Sequence, residues 1–548
     1  MKKIAFAVLA LIGLSLIACG GKSGSGGSAG TKSKREPGTN ANPDNLNPVG
    51  QLPVVKQQES FTLLIDDNGR PEEKILYNTL EKETNVQVNL MLYPYQAALE
   101  RKNILLASGD YPDVIGGWLL TANDIMKLAK DETIIPLETL IDNYTVNIKA
   151  ALALPGVRDA MTLPDGHIYS PPYVIEEPLV SFLPFINTKW LKQLNLKMPE
   201  TTDEFKQVLL AFRDNIPNVN GQKIIPFSGD PNNLNLGTLA GWFGVNASGA
   251  GNNAGFVALI DGQLECTVIR PEYKAFLKYF ADLYANNLVD PELFTQDNAR
   301  WKAKGKQGLY GVSIAYGAGD FAEFSNPEVA RTPWVLQYDY EALPVLKAPG
   351  VAKPVFRRNG FGVTTFRTQL VITDKAANPI TIIRWLDNLY TIEHGHECDY
   401  GPIGVKFEKL SDGTYREIDI TNWTEEEKKK YEWGMTWTTS MPKWRRGKAE
   451  SPVFPPEGQL PIYDEKAVSD KLYEPYLETQ PAPSLWYSET EGRRIADIET
   501  AVLNYVRQKQ AEWVSGQANI DAEWDTYITQ LDKLGLPEMM KIKRAAIR

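Results

Sequence analysis

Phe61-Thr62-Leu63-Leu64-Ile65, then Pro71 to Thr84, then Val86-Gln87-Val88-Asn89-Leu90, is the stretch that decides the fold class. The first run is apolar enough to read as a buried strand. Pro71 opens a helix, since its missing N–H has no partner at that position anyway. Glu72 and Glu73 follow in the first turn, where the helix dipole favours anions. Ile75, Leu76, Thr79 and Leu80 share a face, and the pattern stops near Thr84. Val86, Val88 and Leu90 alternate with polar residues, which predicts a second strand. Strand, helix and strand this closely joined predict a parallel sheet with a right-handed crossover.

Toward the C-terminus the pattern continues. Tyr95 to Ser108 predicts a helix with Gly109 past its end. Val114 and Ile115 predict a short strand, and Asn123 to Ala129 another helix. The first domain is therefore α/β, of the doubly wound kind. Thr201 and Glu204 have capping-box spacing. Gly262 to Arg270 reads as a hairpin or short strand. Pro271 starts a helix with Phe276, Leu277, Phe280 and Leu283 on one face. Leu309 to Ala315 is β-like. Phe361-Gly362-Val363 reads as a strand returning to the first lobe, and Ile380 to Tyr390 as a helix.

Toward the N-terminus the chemistry changes. Lys2 and Lys3 precede an almost unbroken apolar run from Ile4 to Ile17. This is the layout of a secretory signal. It is too short for a comfortable membrane span, which takes about 20 apolar residues. Leu16-Ile17-Ala18-Cys19 resembles a bacterial lipobox, which implies cleavage before Cys19 and a lipid on its thiol. An ordinary secretory signal and an uncut anchor stand as alternatives. Gly20 to about Gln57 has almost no large apolar side chains and reads as a flexible leash. Gly26-Gly27-Ser28-Ala29-Gly30 matches a hydrolase elbow by letter only, because no strand leads in and no helix leads out.

The net charge of -10 argues against a nucleic-acid partner. No second long apolar run predicts a membrane span, and no repeat is visible. Cys266 and Cys398 allow either a disulfide or two buried thiols. Three histidines leave little room for His-based catalysis or metal binding.

Several motifs in order carry a family resemblance. Leu106-Ala107-Ser108-Gly109-Asp110-Tyr111-Pro112-Asp113-Val114-Ile115, Ile135-Pro136-Leu137-Glu138-Thr139-Leu140-Ile141-Asp142 and Asp165-Gly166-His167-Ile168-Tyr169-Ser170-Pro171-Pro172 come first. Asn187-Thr188-Lys189-Trp190-Leu191 with Pro199 to Phe205, and Trp513-Val514-Ser515-Gly516 with Glu523-Trp524 and Leu534-Gly535-Leu536, follow. Together they resemble bacterial extracellular solute-binding proteins of family 1, in the long lipoprotein branch that includes oligosaccharide binders. Asp399 to Pro483 matches least well. The resemblance implies a two-lobed periplasmic-binding-protein-like α/β fold of type II. Its discontinuous lobes are joined by a hinge, with the ligand cleft between them. The expected division is a signal peptide at 1–18, a disordered tether at 19–57, a first lobe at 58–182 and 355–410, and a second lobe at 183–354 and 411–548. Crossings are expected near Pro178 to Ile186 and Lys353 to Phe361. The family's EF-hand-like loop falls at Ile216 to Pro226, where Asn218 and Asn220 are the main side-chain oxygens left, so calcium binding is expected to be lost.

The resemblance implies a receptor that takes an oligosaccharide by hinge closure and delivers it to ABC permease subunits. It would be a monomer, tethered by a lipid such as palmitate on Cys19, with no cofactor. Thirteen tryptophans and twenty-four tyrosines support a sugar site, since a flat apolar ring is what a pyranose face packs on. Core packing explains many of them equally well. The candidate ligand contacts are Tyr95, Asp113, Trp118, Trp242, Tyr316, Arg358, Trp437 and Trp444. Arg357-Arg358 and Arg445-Arg446 offer grips for an acidic ligand or a docking surface. His394-Gly395-His396-Glu397-Cys398 suggests a metal only weakly, because no second cluster completes a ligand set. Glu176-Glu177, Asp320 and Glu489 with Glu491 are candidate acid pairs for glycan cleavage. Three readings remain open: a transport receptor, a lipoprotein glycan hydrolase or lyase, and a ligand-presenting sensor.

Overall fold

The computed structural model describes residues 39–176, 180, 182–216, 218–231, 236–247, 256–323, 338–358, 364–366, 369–420, 422–431, 441–446, 453–454, 465–478 and 485–547. Cys19, Trp437, Glu177 and the strand expected at Phe361 to Val363 lie outside them.

The chain opens with β1 (Glu59–Asp66), α1 (Ile75–Thr84), β2 (Val86–Tyr93), α2 (Tyr95–Ser108) and β3 (Val114–Gly116). Pro71–Glu73 forms a short 3-10 turn ahead of α1 rather than its first turn. Asn85 (φ 59°) and Gly109 (φ 74°) stop α1 and α2 in the left-handed region. The next elements are α3 (Ala122–Lys130), β4 (Tyr173–Ile175), β5 (Leu183–Asn187), α4 (Thr202–Asn215), β6 (Ile225–Gly229) and α5 (Pro271–Ala285). Thr201 and Glu204 close the expected capping box on α4. Asn218–Val219 and Gln222–Lys223 pair as a hairpin whose turn residues, Asn220 and Gly221, both have positive φ. That turn stands where the family's cation loop would be.

There follow β7 (Tyr310–Ala315), β8 (Tyr340–Ala342), β9 (Thr364–Phe366), β10 (Leu370–Ile372), α6 (Pro379–Asp387) and α7 (Ile392–Tyr400). The last part holds β11 (Phe407–Lys409), β12 (Tyr415–Glu417), β13 (Trp444–Arg445), β14 (Val453–Phe454), α8 (Glu465–Tyr473) and α9 (Glu489–Val514). Helices Ile520–Lys533 and Leu536–Ala545 close the chain.

The first sheet has the order β10–β3–β1–β2. β1 pairs parallel with β2 from Glu59↔Val86 to Asp66↔Tyr93, and parallel with β3. Phe61, Leu63 and Ile65 enter one core with Leu80 and Trp385. Leu64 enters the opposite one with Leu105, Ile115 and Ile125. A strand buried on both faces needs such an unbroken apolar run. The second sheet, β8–β5–β7–β6, packs over a separate core that includes Phe185, Phe205, Phe227 and Phe280. A small sheet, β9–β4–β13, lies where the chain passes from one lobe to the other.

Two expected boundaries change. Residues 39–57 are folded: Val54 and Val55 enter the first core, and Asn40 and Asn45 are buried. The Arg384 guanidinium donates to the carbonyls of Asn47, Pro48 and Gln51, holding this strap down. The chain also does not leave the first lobe at 411. β12 pairs with β11, β13 pairs with β4, and Met441 and Trp444 join the first core. Passage to the second lobe comes before α8, whose Tyr473 lies in the second core with Phe356. Cys266 sits in the second core and Cys398 in the first, so no disulfide joins them.

Candidate functional site at the lobe crossing

Parallel strands bring their C-terminal ends to one edge. In the first sheet that edge carries Asp66, Tyr93 and Gly116. Gly116 leads into Gly117 (φ 85°) and Trp118. A Cβ on Gly117 would stand 1.8 Å from Asp66 Oδ1, so only glycine lets the chain turn there. Asp66 Oδ1 accepts the Trp118 backbone N–H (2.9 Å), and the Trp118 side chain is left 40% exposed. Tyr95, the first residue of α2, is 46% exposed beyond the same edge.

In the second sheet β6 and β7 are parallel, and their ends carry Gly229 and Ala315. Tyr316 follows, 40% exposed, edge-on to Phe182 (5.8 Å) at the start of the β5 segment. Asp320 Oδ2 accepts the backbone N–H of Tyr316 and of Gly317, both at 3.1 Å. Both edges meet the small crossing sheet. β4 runs out into β5, and β9 leads directly into β10.

Two aromatic rings at the crossing carry cations. Arg446 Cζ stands 3.6 Å from the centroid of the Trp444 ring. The Trp444 indole N–H donates to Glu176 Oε1 (2.8 Å). Lys466 Nζ, from α8, stands 3.7 Å from the centroid of the Tyr316 ring and donates to the Tyr316 carbonyl. Asp470, one turn further along α8, accepts the N–H of Val180 (3.1 Å) on the crossing segment. Burial raises the pKa of the Tyr316 hydroxyl, the Arg445 charge opposes this, and Asp470 and Asp320 add to the rise. Arg445 of the crossing sheet thus acts on Tyr316, and Lys466 and Asp470 of α8 hold the same region of the second lobe.

Other candidates fall elsewhere. Asp113, a candidate ligand contact, stands at the N-terminal end of β3, away from the edge where the parallel strands end. Its Oδ2 accepts from Thr62 N–H (2.7 Å) and Thr62 Oγ1–H (2.8 Å), tying β1 to β3. Trp242 is fully buried in the second core against Phe205 and Phe280. Its glycine neighbour Gly241 marks a close approach, since a Cβ there would stand 1.8 Å from the Val355 carbonyl. Trp444 is only 5% exposed and serves as the bed for Arg446 rather than an open platform. Arg358 lies on the strip that bridges Phe356 to Tyr476 and Glu478, and its Nε is buried without a hydrogen-bond partner.

The described members of the candidate acid pairs have structural tasks. Glu491 caps α9 with Ser488, Glu176 holds Trp444, and Asp320 holds the turn after β7. The His394 run is helical. His394 sits between Glu397 (2.8 Å) and Glu83 (3.0 Å), while His396 packs on Tyr415 and Phe407. Among the described residues no cluster of His, Cys, Asp or Glu is arranged to hold a metal ion.

Lys466 had no signal in the sequence, being one lysine in an ordinary helix. Gln369 was missed as well. It is fully buried beside Gly117, whose N–H donates to its carbonyl (2.7 Å), and neither polar atom of its side-chain amide has a hydrogen-bond partner.

The family described as bacterial extracellular solute-binding protein matches residues 60–354. The fructooligosaccharide ABC transporter substrate-binding protein FusA of Streptococcus pneumoniae is 31% identical over 86% of this chain and 86% of its own. The lipoprotein LipO of Bacillus subtilis is 25% identical over 84% of each. Among solved structures, the S. pneumoniae protein in complex with kestose superposes with a TM-score of 0.69 at 29% identity, covering 89% of this chain and 98% of that one. A solute-binding protein from Bifidobacterium longum subsp. infantis gives 0.72 at 22% identity, covering 89% and 97%, and supports the fold.

Proposed function

The chain belongs to the bacterial extracellular solute-binding proteins, and from that premise we propose that it captures an oligosaccharide between its lobes for an ABC importer. One observation carries the ligand class. The strand-end edge of each sheet carries an exposed aromatic ring, Trp118 after β3 and Tyr316 after β7. Such rings suit the apolar faces of sugars, and flanking polar groups orient them. The similarity to a fructooligosaccharide receptor supports the same class.

Binding draws the lobes together about the crossing strands, the hinge motion that two-lobed receptors use. The closed form is then what the transmembrane subunits meet. The chain is a binding protein and not an enzyme, as its relatives are substrate-binding proteins. Among the described residues no helix is long and apolar enough to cross a membrane. We place the anchor at Cys19, where lipid on the thiol would hold a monomeric receptor at the outer face of the cell membrane. Each buried methylene contributes about 0.8 kcal/mol, so two acyl chains or more make a stable hold.

The test is thermal unfolding of residues 39–548 against a panel of neutral and acidic oligosaccharides. A ligand at a hundred times its Kd stabilises the folded form by about 2.7 kcal/mol. The expected outcome is a raised Tm with one sugar class and no breakdown of that sugar. No rise with any glycan removes the carbohydrate assignment.

A further inference from the structure

We propose that Gln369 is a positioning residue for lobe closure: its side-chain amide is unpaired in the present arrangement of the lobes, gains partners when the hinge strands turn, and so biases the hinge away from this arrangement. The proposal rests on the hinge motion of the reading above and names a residue that sets its balance.

Gln369 stands where the chain enters the first lobe. β9 ends at Phe366 in the crossing sheet, and β10 begins at Leu370 in the first sheet. The backbone is fixed on both sides of Gln369. Its carbonyl accepts the Gly117 N–H (2.7 Å), and the next N–H, that of Leu370, donates to Ser170 Oγ (3.3 Å). Ser170 lies three residues before β4, the strand that pairs with β9. Both of these crossing strands therefore leave the first lobe at one point, and Gln369 is buried there.

Its amide differs from the polar groups around it. Ser170 Oγ also donates to the Pro171 carbonyl (3.2 Å), and Thr373 Oγ1 donates to the Pro112 carbonyl (2.8 Å). Gln369 is 0% exposed, and neither Oε1 nor Nε2 has a hydrogen-bond partner. Among the described residues no other side chain has two such atoms. A buried polar atom without a partner costs its full desolvation, and such groups are rare in folded chains. The far end of the same passage repeats the pattern. Phe356 N–H donates to the Tyr476 carbonyl (2.7 Å) in the second lobe, and two residues on, Arg358 Nε is buried without a partner.

The pairing Leu370↔Gly116 fixes the neighbours of Gln369 on the side of the first sheet. Its neighbours on the side of the crossing change as β4 and β9 turn, and the new partner for the amide comes from there. A group shifts a two-state equilibrium by the difference in its free energy between the states. Gln369 thus sets the share of molecules in each arrangement before ligand arrives, and apparent affinity follows the competent share.

The experiment uses Gln369→Met and Gln369→Leu, which keep most of the side-chain bulk and remove the amide. Residues Pro37–Arg548 form one compact unit. Solution scattering from that unit without ligand is compared with the profile of the present lobe arrangement, and Tm is measured on the same samples. The wild-type profile is expected to depart from that of the present arrangement, and both variants to move toward it, with the ratio of this arrangement to the other raised about fivefold or more. A changed Tm with an unchanged profile overturns the proposal, because the amide then costs the same in both arrangements. A wild-type profile that already matches the present arrangement overturns it too. If neither variant folds, a crystal structure of the ligand-free wild type decides. The amide paired with protein atoms in a different lobe arrangement is expected, and any other state of it, including one held by a buried water in the present arrangement, overturns the proposal. No sugar enters these measurements, so their failure leaves the oligosaccharide reading to the thermal panel.

Discussion

His394 is held between two carboxylates, Glu397 on its own helix and Glu83 at the end of α1. Burial works against its charge, but the hydrogen bonds and charges of Glu397 and Glu83 outweigh burial and raise its pKa. A raised pKa in the folded state means the charged pair stabilises fully below about pH 6.5, the unfolded value. The contribution is lost as pH climbs through the higher folded value. The Tm of the wild type is therefore expected to exceed that of His394→Asn most at pH 6 or below, and the gap to shrink steadily above that. A gap that does not change with pH would dismiss the charged pair. The i, i+2 spacing of the two histidines suits a strand or loop, yet the run is helical. On a helix, residues two apart point about 200° apart. His394 and His396 accordingly reach different neighbours, the carboxylates and the Tyr415 ring. Trp242 is the parallel case among aromatics. Glycines flank it as in a loop, yet Gly241 is there for a close backbone approach.

At the scale of elements, β1, α1, β2 and α2 match their expected positions to within a few residues. Their signals are local: apolar periodicity, and Asn85 and Gly109 at the helix ends. The strap at 39–57 was not legible, because its composition continues that of the leash before it. What orders it lies over 300 residues away, in the Arg384 guanidinium and in Thr381, which meets Asn40. Arg384 is 4% exposed, and its removal leaves three carbonyls without their charged donor. Arg384→Ala is expected to cost about 2–4 kcal/mol in unfolding free energy. Amide exchange at residues 45–55 should quicken more than at β1. Unchanged exchange there would mean that the strap is held by Val54 and Val55 alone. The segment from 411 to 446 was misplaced for a related reason. Two-residue strands such as β13 carry almost no periodicity, and only pairing with β4 assigns them to a lobe.

For the whole molecule, the two cores are built from separate sets of buried residues, and we expect the lobes to rotate about β4 and β9. Addition of a bound sugar is expected to lower the radius of gyration in solution scattering. A radius that stays constant with ligand bound at saturation would argue for a preformed closed state. The sequence by itself determined the α/β class, the helix ends, the family and so the two-lobed plan, since each rests on short-range patterns or on ordered motifs. Only the tertiary structure decided which residues stand at the sheet edges and the lobe crossing. Trp118, Tyr316, Arg445 and Lys466 lie on separate stretches of the chain, and no local pattern distinguishes an aromatic at a sheet edge from one in a core. That distinction is made by strand direction: parallel strands gather their C-terminal ends at one edge, and the two sheets turn those edges toward a shared crossing.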